Sequence, residues 1–398
     1  MRHHVRHIAI LVANLPAERD RRVIRQCLTL EAAGYQVTVI APRGPDRLRK
    51  LPGSRNVRLR PYPVPVQGSG LLTFAVEFAW SLAWITCLLL AEVVQGRAHA
   101  VQVCNPPDIY WPLALLWRLM GRPWVFDHHD LSPEVYATRA AGRANRWVFR
   151  ALVLLEWLTL RTASAVIVTN ESFLANARRH GVPADRLCVV RNGPAAAEIG
   201  AGDPAPSDRS RIVYLGVLGP QDNVATAVLA AEALARRRGR TGWHLTIAGD
   251  GEMRPALEKL VAERGLADVV EFTGWLDGPA VDALLRSATL AIQPDAPTRM
   301  NHLSTMAKTV EYLARGVPVV AADLLETRRT AAEAACYVPE ATPEAFAAAL
   351  DDLLDDPDRR ERMRTAGLTR FAAQLSWETQ AGGYLRVWRR LLGPPERA

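Results

Sequence analysis

Short apolar runs of strand length alternate with helix-length amphipathic stretches through this 398-residue chain, and that alternation constrains the fold more than any other feature. Val5 to Ala13 is a continuous apolar run. Asp20 to Gly34 carries helical periodicity through Val23, Cys27, Leu28 and Leu30, and Tyr35 to Ala41 reads as a second strand, which makes a βαβ opening. Strands follow at Ala100–Cys104, Trp124–Asp127, Ala165–Thr169 and Leu187–Arg191, with a long amphipathic helix over about Ala144–Arg161. A stretch poor in large apolar residues then begins at Asn192-Gly193-Pro194, and residues 196–210 read as a linker. The alternation resumes at Arg211–Leu215, His244–Ala248, Val269–Phe272, Thr289–Gln293 and Val317–Ala321. The expected fold class is α/β, with two doubly wound, Rossmann-like domains at 1–195 and 211–375 and a ligand cleft at the carboxyl ends of their strands. An aromatic helix at 376–398 is expected to pack back on the first domain.

Length and composition agree with two full cores, since 49% of the residues are hydrophobic and 23% charged. Five cysteines without Cys-x-x-Cys spacing indicate neither a disulfide framework nor a zinc site, as expected of a cytoplasmic chain. The net charge of +8 is uneven: residues 1–200 hold 25 Lys+Arg against 14 Asp+Glu. Arg43, Arg47, Arg49, Lys50, Arg55, Arg58 and Arg60 crowd what reads as a Pro/Gly-rich loop whose one acid is Asp46. No aromatic stacking run accompanies them, so an anionic membrane surface is the expected partner and nucleic acid is not.

Leu71 to Val94 is almost wholly apolar, but Glu77 and Glu92 bracket an uncharged stretch of only 14 residues. That length suits a buried core helix first, a helix whose outer face touches a membrane second, and a spanning segment least. No signal peptide is expected, because Met1-Arg2-His3-His4-Val5-Arg6-His7 leads straight into a strand.

The stretch from Ser304 to Val320 carries the sharpest chemistry. Ser304 is placed to cap a helix on which Met306, Val310 and Leu313 share a face, Gly316 stops it, and a β-branched run follows. Lys308 falls near the helix start, where amides attract anions, and Glu311 one turn later. A solvent-exposed ion pair at i,i+3 is the plain alternative, against a cation for phosphate and a carboxylate for sugar hydroxyls.

No Gly-x-Gly-x-x-Gly follows the first strand and no Walker loop occurs, which removes the main warrant for a dehydrogenase or a P-loop enzyme. The turn Ala248-Gly249-Asp250-Gly251-Glu252, the segment Phe272-Thr273-Gly274-Trp275 and the run Glu311 to Val320 resemble family 4 glycosyltransferases of the GT-B fold, as do Asn105-Pro106-Pro107-Asp108 and Asp127-His128-His129-Asp130 in the first half. The likeness covers nearly the whole chain and points to a bacterial branch tied to cell-surface polysaccharides and glycoconjugates.

The resemblance implies a retaining transferase that moves a sugar from a nucleotide-sugar to a hydroxyl without metal or other cofactor. It assigns Glu311 to the ribose hydroxyls, Gly249, Asp250 and Gly251 to a turn beside the donor, and Trp275 to the base, with core filling as the alternative for that tryptophan. His129 is assigned to the donor sugar, because neighbours alternate faces in an extended segment and only one ring of His128-His129 faces a cleft. Asn14, Asp20, Asn105, Asp108, Asp127, Asp130 and Glu134 fall on the acceptor side. Asp127, Asp130 and Glu134 could instead orient the His129 ring, and such a carboxylate cluster could also cap a helix starting at Ser132-Pro133-Glu134.

Two departures matter. The loop Leu215-Gly216-Val217-Leu218-Gly219-Pro220-Gln221-Asp222-Asn223 lacks the Arg and Lys with which relatives neutralise the diphosphate, so Gly216 and Gly219 supply backbone and Lys308, then Arg299, become the substitute cations. Leu303 stands where relatives carry a first glutamate, which leaves Asn301, His302 and Ser304 for the sugar. His129, Lys308 and Glu311 are thus the catalytic candidates. The leading expectation is a transferase at the cytoplasmic face of the plasma membrane with a lipid-linked or other large acceptor. A nucleotide-sugar epimerase of the same fold and a degenerate, non-catalytic scaffold are the alternatives.

Overall fold

A computed structural model describes residues 6–64, 71–140, 142–200 and 209–394. The chain divides into two compact units, Met1–Arg191 with Gln380–Ala398, and Asn192–Thr379.

In the first unit the order is β1 (His7–Leu11), α1 (Arg21–Ala32), β2 (Gln36–Pro42), β3 (Arg58–Tyr62), α2 (Leu71–Val94), β4 (Ala100–Cys104), α3 (Trp111–Leu119), β5 (Trp124–His128), α4 (Ser132–Arg139), α5 (Arg146–Thr162), β6 (Ala165–Val168), α6 (Glu171–Arg179) and β7 (Leu187–Val189). The strands form a parallel sheet in the order β3-β2-β1-β4-β5-β6-β7. Its central strands are buried throughout because helices cover both faces.

The second unit contains β8 (Ser210–Leu215), α7 (Val224–Arg238), β9 (Trp243–Ala248), α8 (Arg254–Glu263), β10 (Val270–Gly274), α9 (Gly278–Arg286), β11 (Leu290–Gln293), α10 (Arg299–Leu303), α11 (Ala307–Ala314), β12 (Val319–Ala322), α12 (Leu325–Ala331), β13 (Ala335–Val338), α13 (Pro343–Asp355) and α14 (Pro357–Arg370). Its parallel sheet runs β10-β9-β8-β11-β12-β13. The last helix, α15 (Trp377–Leu392), contributes from Gln380 onward to the first unit, where Tyr384 Oη donates to Gln102 Oε1 on β4 at 2.7 Å.

Strand order reverses beside β1 in one sheet and beside β8 in the other, and such switch points open a crevice at the carboxyl ends of the strands. Both sites below lie there.

Three expectations are corrected. The arginine-rich segment is not all loop: Arg58 to Tyr62 is strand β3, and Arg60 reaches the buried Glu92 at 3.1 Å. Ser304 does not cap the Lys308 helix. It closes the separate short helix α10, and Met306 stands at the start of α11 without a side-chain cap. Leu71–Val94 is not a core helix, since only 22% of its Ala75–Val94 stretch is buried.

Candidate functional site

In the second unit the loops after β8 and β9 run against each other backbone to backbone. Gly216 N donates to Ala248 O, Leu218 N to Asp250 O and Met253 N to Leu218 O, each at 3.0 Å. This zipper requires glycine. Gly249 has φ +144°, and a Cβ there would stand 1.8 Å from the Gly216 carbonyl oxygen. Gly251 abuts Leu218 in the same way, while a Cβ at Gly219 would meet only the flexible Gln221 side chain. Asp250 closes the turn through its Gly251 amide and Arg254 and is itself exposed.

Lys308 lies beneath Gly216, whose Cβ would be 3.1 Å from the lysine Cε. Its ammonium sits 2.8 Å from Asp295 Oδ1 and 2.9 Å from Asp222 Oδ1, donates to Tyr214 Oη at 3.2 Å, and lies over the Tyr214 ring. Burial opposes its charge, but Asp295, Tyr214 and Asp222 outweigh that and hold its pKa well above the ordinary lysine value. Burial also pushes the Tyr214 phenol upward, so it stays protonated. Lys308 is therefore no uncommitted cation. The loop that lacks the family's Arg and Lys supplies a carboxylate instead, and the second comes from Asp295, two residues beyond β11. Sequence reasoning missed both partners. The one available signal was an acid just past the carboxyl end of a strand.

Glu311 does not pair with Lys308. Its Oε2 lies 2.6 Å from Arg315 Nη1, and Arg315 is anchored by Asp282 Oδ1 at 2.9 Å, so the carboxylate is held from behind by a buried guanidinium. The exposed i,i+3 pair is thereby excluded.

Asn301 is buried, and its Nδ2 donates to the carbonyls of Gln221 and Ala296, clipping the β8 loop to the β11 loop. Asn223 Nδ2 adds a second clip to Pro294 O. The amide of Asn301 is thus committed to backbone rather than available to a sugar. His302 Nδ1 accepts from the Leu325 amide at 3.4 Å, and Arg299 is exposed at the start of α10. Trp275, just past β10, is 73% exposed, which excludes the core-filling reading.

In the first unit, alternation along β5 sends Asp127 and His128 to opposite faces. Asp127 is fully buried against α1, where Arg22 grips it bidentately (Nη2 to Oδ1 2.8 Å, Nε to Oδ2 3.1 Å), Gln26 and Gln102 donate to Oδ2, and His129 Nε2 lies 2.9 Å from Oδ2. Burial alone would raise the Asp127 pKa, but Arg22 and His129 hold it far below the usual carboxylate range. His128 is buried on the other face beside Phe126 and Phe173, with Glu156 Oε1 at 3.2 Å. His129 keeps part of its ring exposed.

Asn105 Oδ1 accepts the amides of His129 (2.6 Å) and Asp130 (3.2 Å), while its Nδ2 donates to Asp108 Oδ1 and Asp130 O. Asp108 accepts from Ser132 Oγ at 2.5 Å, and burial pushes its pKa up to about 6. Asp20 caps α1 by accepting the Arg22 and Val23 amides. The acceptor-side set is therefore corrected in part. Asn105, Asp108 and Asp127 are buried and commit their polar atoms to holding the His129 segment, and Asp20 is a helix cap. Asn14 and Asp130 are exposed, and Glu134 is half-buried in the first turn of α4. Neither Asp130 nor Glu134 caps that helix, whose start at Leu131 has no side-chain cap.

Cys104, Asp127 and His129 bring ligand-type atoms within 4.8 Å of one another. A dication there would face the Arg22 guanidinium across the same carboxylate, and burial holds the Cys104 thiol well above its ordinary value, so the set does not suit a metal.

Residues 4–193 match the family described as Glycosyl transferase 4-like domain, and residues 209–356 match Glycosyl transferases group 1. The alpha-D-kanosaminyltransferase of Streptomyces kanamyceticus is 28% identical over 358 residues, 84% of this chain and 88% of that protein. Sucrose-phosphate synthase from Thermosynechococcus elongatus superposes with a TM-score of 0.77 at 20% identity over 97% of this chain and 99% of its own. Anabaena Alr3699/HepE in complex with UDP-glucose does so with a TM-score of 0.67 at 17% identity, over 97% and 100%.

Proposed function

As this chain belongs to the family 4 glycosyltransferases of the GT-B fold and is an enzyme of the hexosyltransferase class, we propose that it transfers a sugar from a nucleotide-sugar to a hydroxyl with retention at the anomeric carbon. The observation that carries this reading is the switch point beside β8, where glycine-bared backbone, the Lys308 ammonium and the arginine-held Glu311 meet the carboxyl ends of the strands. The UDP-glucose complex of a protein with the same fold supports a nucleotide-sugar donor.

In this reading Glu311 accepts the ribose hydroxyls, since a carboxylate fixed by Arg315 presents acceptor lone pairs to a vicinal diol. The diphosphate displaces Asp222 from Lys308. Asp222 is the more exposed partner, at 13% against 2% for Asp295, and sits on the loop rather than behind it. Lys308 then faces the negative charge that grows as the bond from anomeric carbon to diphosphate oxygen breaks, and the acceptor oxygen bonds to that carbon. The acceptor proton passes to the departing phosphate oxygen, so the scheme uses neither a separate general base nor a metal. His129, oriented by Asp127 and Asn105, serves the sugar. The acceptor belongs to a cell-surface polysaccharide or glycoconjugate route at the cytoplasmic membrane face, where the exposed Arg43, Arg47, Arg49, Lys50, Arg55 and Arg58 suit anionic or lipid-linked substrates.

One observation favours a second reading, a degenerate scaffold: Lys308 is already neutralised by two carboxylates. Thermal shift across UDP-, GDP- and dTDP-sugars separates the two, because a ligand at 100 times its Kd adds about 2.7 kcal/mol. Proton NMR of the product then reads the anomeric configuration. An inverted linkage would remove the retaining mechanism, and no stabilisation by any nucleotide at millimolar concentration would leave the scaffold.

A further inference from the structure

Helix α2 is apolar on its outer face as well as its inner one. Its buried residues include Ile85 and Leu89 together with Ser81 and Glu92, the last ion-paired to Arg60 and Arg97. Its outward residues are Val76, Trp80, Ala83, Cys87, Leu90 and Val94, all exposed, all apolar, and spaced four and three apart along one face. An ordinary surface helix presents polar residues on that outer face.

Two further helices on the same face of the sheet are also apolar outside. Right-handed crossovers in a sheet of this order carry α2, α3 and α5 to one face, with α1 on the other. The side chains agree: Asp127 and Gln102 meet Gln26 of α1, whereas His128 meets Glu156 of α5, and α3 packs on α5. On that face α3 exposes Leu115, Leu116, Leu119 and Met120, and α5 exposes Trp147, Leu154 and Trp157. Large apolar side chains exposed on three helices of one face mark an interaction site.

Charge selects the partner. Arg146 and Arg150 lie 4.8 and 5.3 Å from the centre of the Trp147 ring, Arg161 lies 5.9 Å from that of Trp157, and Arg118 is exposed between Trp117 and Leu119. No acid occurs on α3, the one acid of α5 is the buried Glu156, and α2 has only half-buried Glu77 and buried Glu92. Two copies docked through this face would set arginine against arginine with no exposed carboxylate to pair them. An anionic bilayer supplies both phosphates for the arginines and an apolar interior for the leucines, with tryptophan at the boundary.

We propose that the α2, α3 and α5 face of the first unit is a monotopic docking surface for anionic bilayers, with the helices lying on the membrane rather than crossing it. It is separate from the Arg43–Arg58 segment and does not depend on the donor assignments.

The test is flotation of the full chain with phosphatidylcholine vesicles, with and without phosphatidylglycerol. Wild type is expected to float with the anionic vesicles. The triple variant Leu119→Ser, Trp147→Ser, Trp157→Ser removes exposed side chains only and is expected to lower the partition by about tenfold or more. Arg146→Gln with Arg150→Gln is expected to lower it roughly fivefold per arginine on anionic vesicles and little on neutral ones. Circular dichroism and nucleotide-induced thermal shift check that both variants are folded. Failure of wild type to float, undiminished flotation of the triple variant, or a dimer by light scattering that the triple variant dissociates would each overturn the proposal. A Gln variant of Arg43, Arg47 and Arg49 that alone abolishes flotation would assign the membrane to that segment instead.

Discussion

Each unit buries a charge at the carboxyl end of its sheet, and the two solve the problem in opposite ways. In the first, a strand carboxylate, Asp127, is gripped by Arg22 and Gln26 from α1 and by Gln102 from β4, all on regular elements. In the second, a helix ammonium, Lys308, is neutralised by Asp222 and Asp295, both on loops. A buried ion is tolerated only with its countercharge, so both pairs are costly to break. They differ in what can move. Partners on a helix and a strand make Asp127 a fixed support for His129, whereas a loop partner makes Lys308 exchangeable.

The largest effect is expected from Asp127→Asn, which strands the buried Arg22 and should destabilise the first unit by about 3 to 5 kcal/mol in urea unfolding. Asp295→Asn leaves Lys308 with Asp222 and Tyr214 and should cost clearly less. Equal losses would show that Asp222 and Tyr214 do not compensate the Lys308 ammonium.

Acid should expose a second buried pair in the first unit. Burial alone would raise the Glu156 pKa, but hydrogen bonds from His128 and His180 lower it from 4.5 to about 2. With the folded pKa below the unfolded one, this stabilisation is complete above 4.5 and is lost as pH falls through about 2, an effect of roughly 3 kcal/mol by linkage. Asp108 acts in the opposite sense, because its raised pKa costs stability as pH climbs from 3.8 to about 6. Unfolding of wild type and Glu156→Gln between pH 5 and pH 2, compared as a difference, isolates the glutamate. A variant with unchanged acid sensitivity would dismiss it.

Gly249→Ala tests the loop zipper. Its Cβ would enter the Gly216 carbonyl, so both loops must separate, with about 2 kcal/mol of stability and most nucleotide affinity expected to go. The smallest change should come from exchanging the loop partner of the lysine. Asp222→Asn is expected to raise nucleoside diphosphate affinity by about fivefold and Lys308→Met to lower it by about tenfold or more, both read by calorimetry. If Asp222→Asn weakens binding instead, Asp222 is a fixed part of the site.

The central strands were legible because a strand covered on both faces is a largely apolar run, as at Ala100–Cys104, where the expected and observed bounds coincide. The edge strands β3 and β13 were not. Arg58-Leu59-Arg60-Pro61-Tyr62 alternates charge with apolar residues and holds a proline, which an edge tolerates and a sequence reader takes for a loop. Helical spacing placed Lys308 and Glu311 on one helix, and strand alternation separated His128 from His129.

Local periodicity and turn chemistry thus determined, from the sequence alone, the α/β class, most of the elements and the segments that carry the chemistry. Tertiary structure decided which charges meet. Lys308 and Asp222 are 86 residues apart and Arg22 and Asp127 are 105 apart, so no spacing rule joins either pair. It also decided which face of an apolar helix stays outside. Val76 and Ile85 are equally apolar as letters, and only the sheet beneath α2 buries one and leaves the other exposed. The reason is the same in both cases. Periodicity is set by bonds along the chain, whereas ion pairing and burial depend on distances that only the packed sheet fixes.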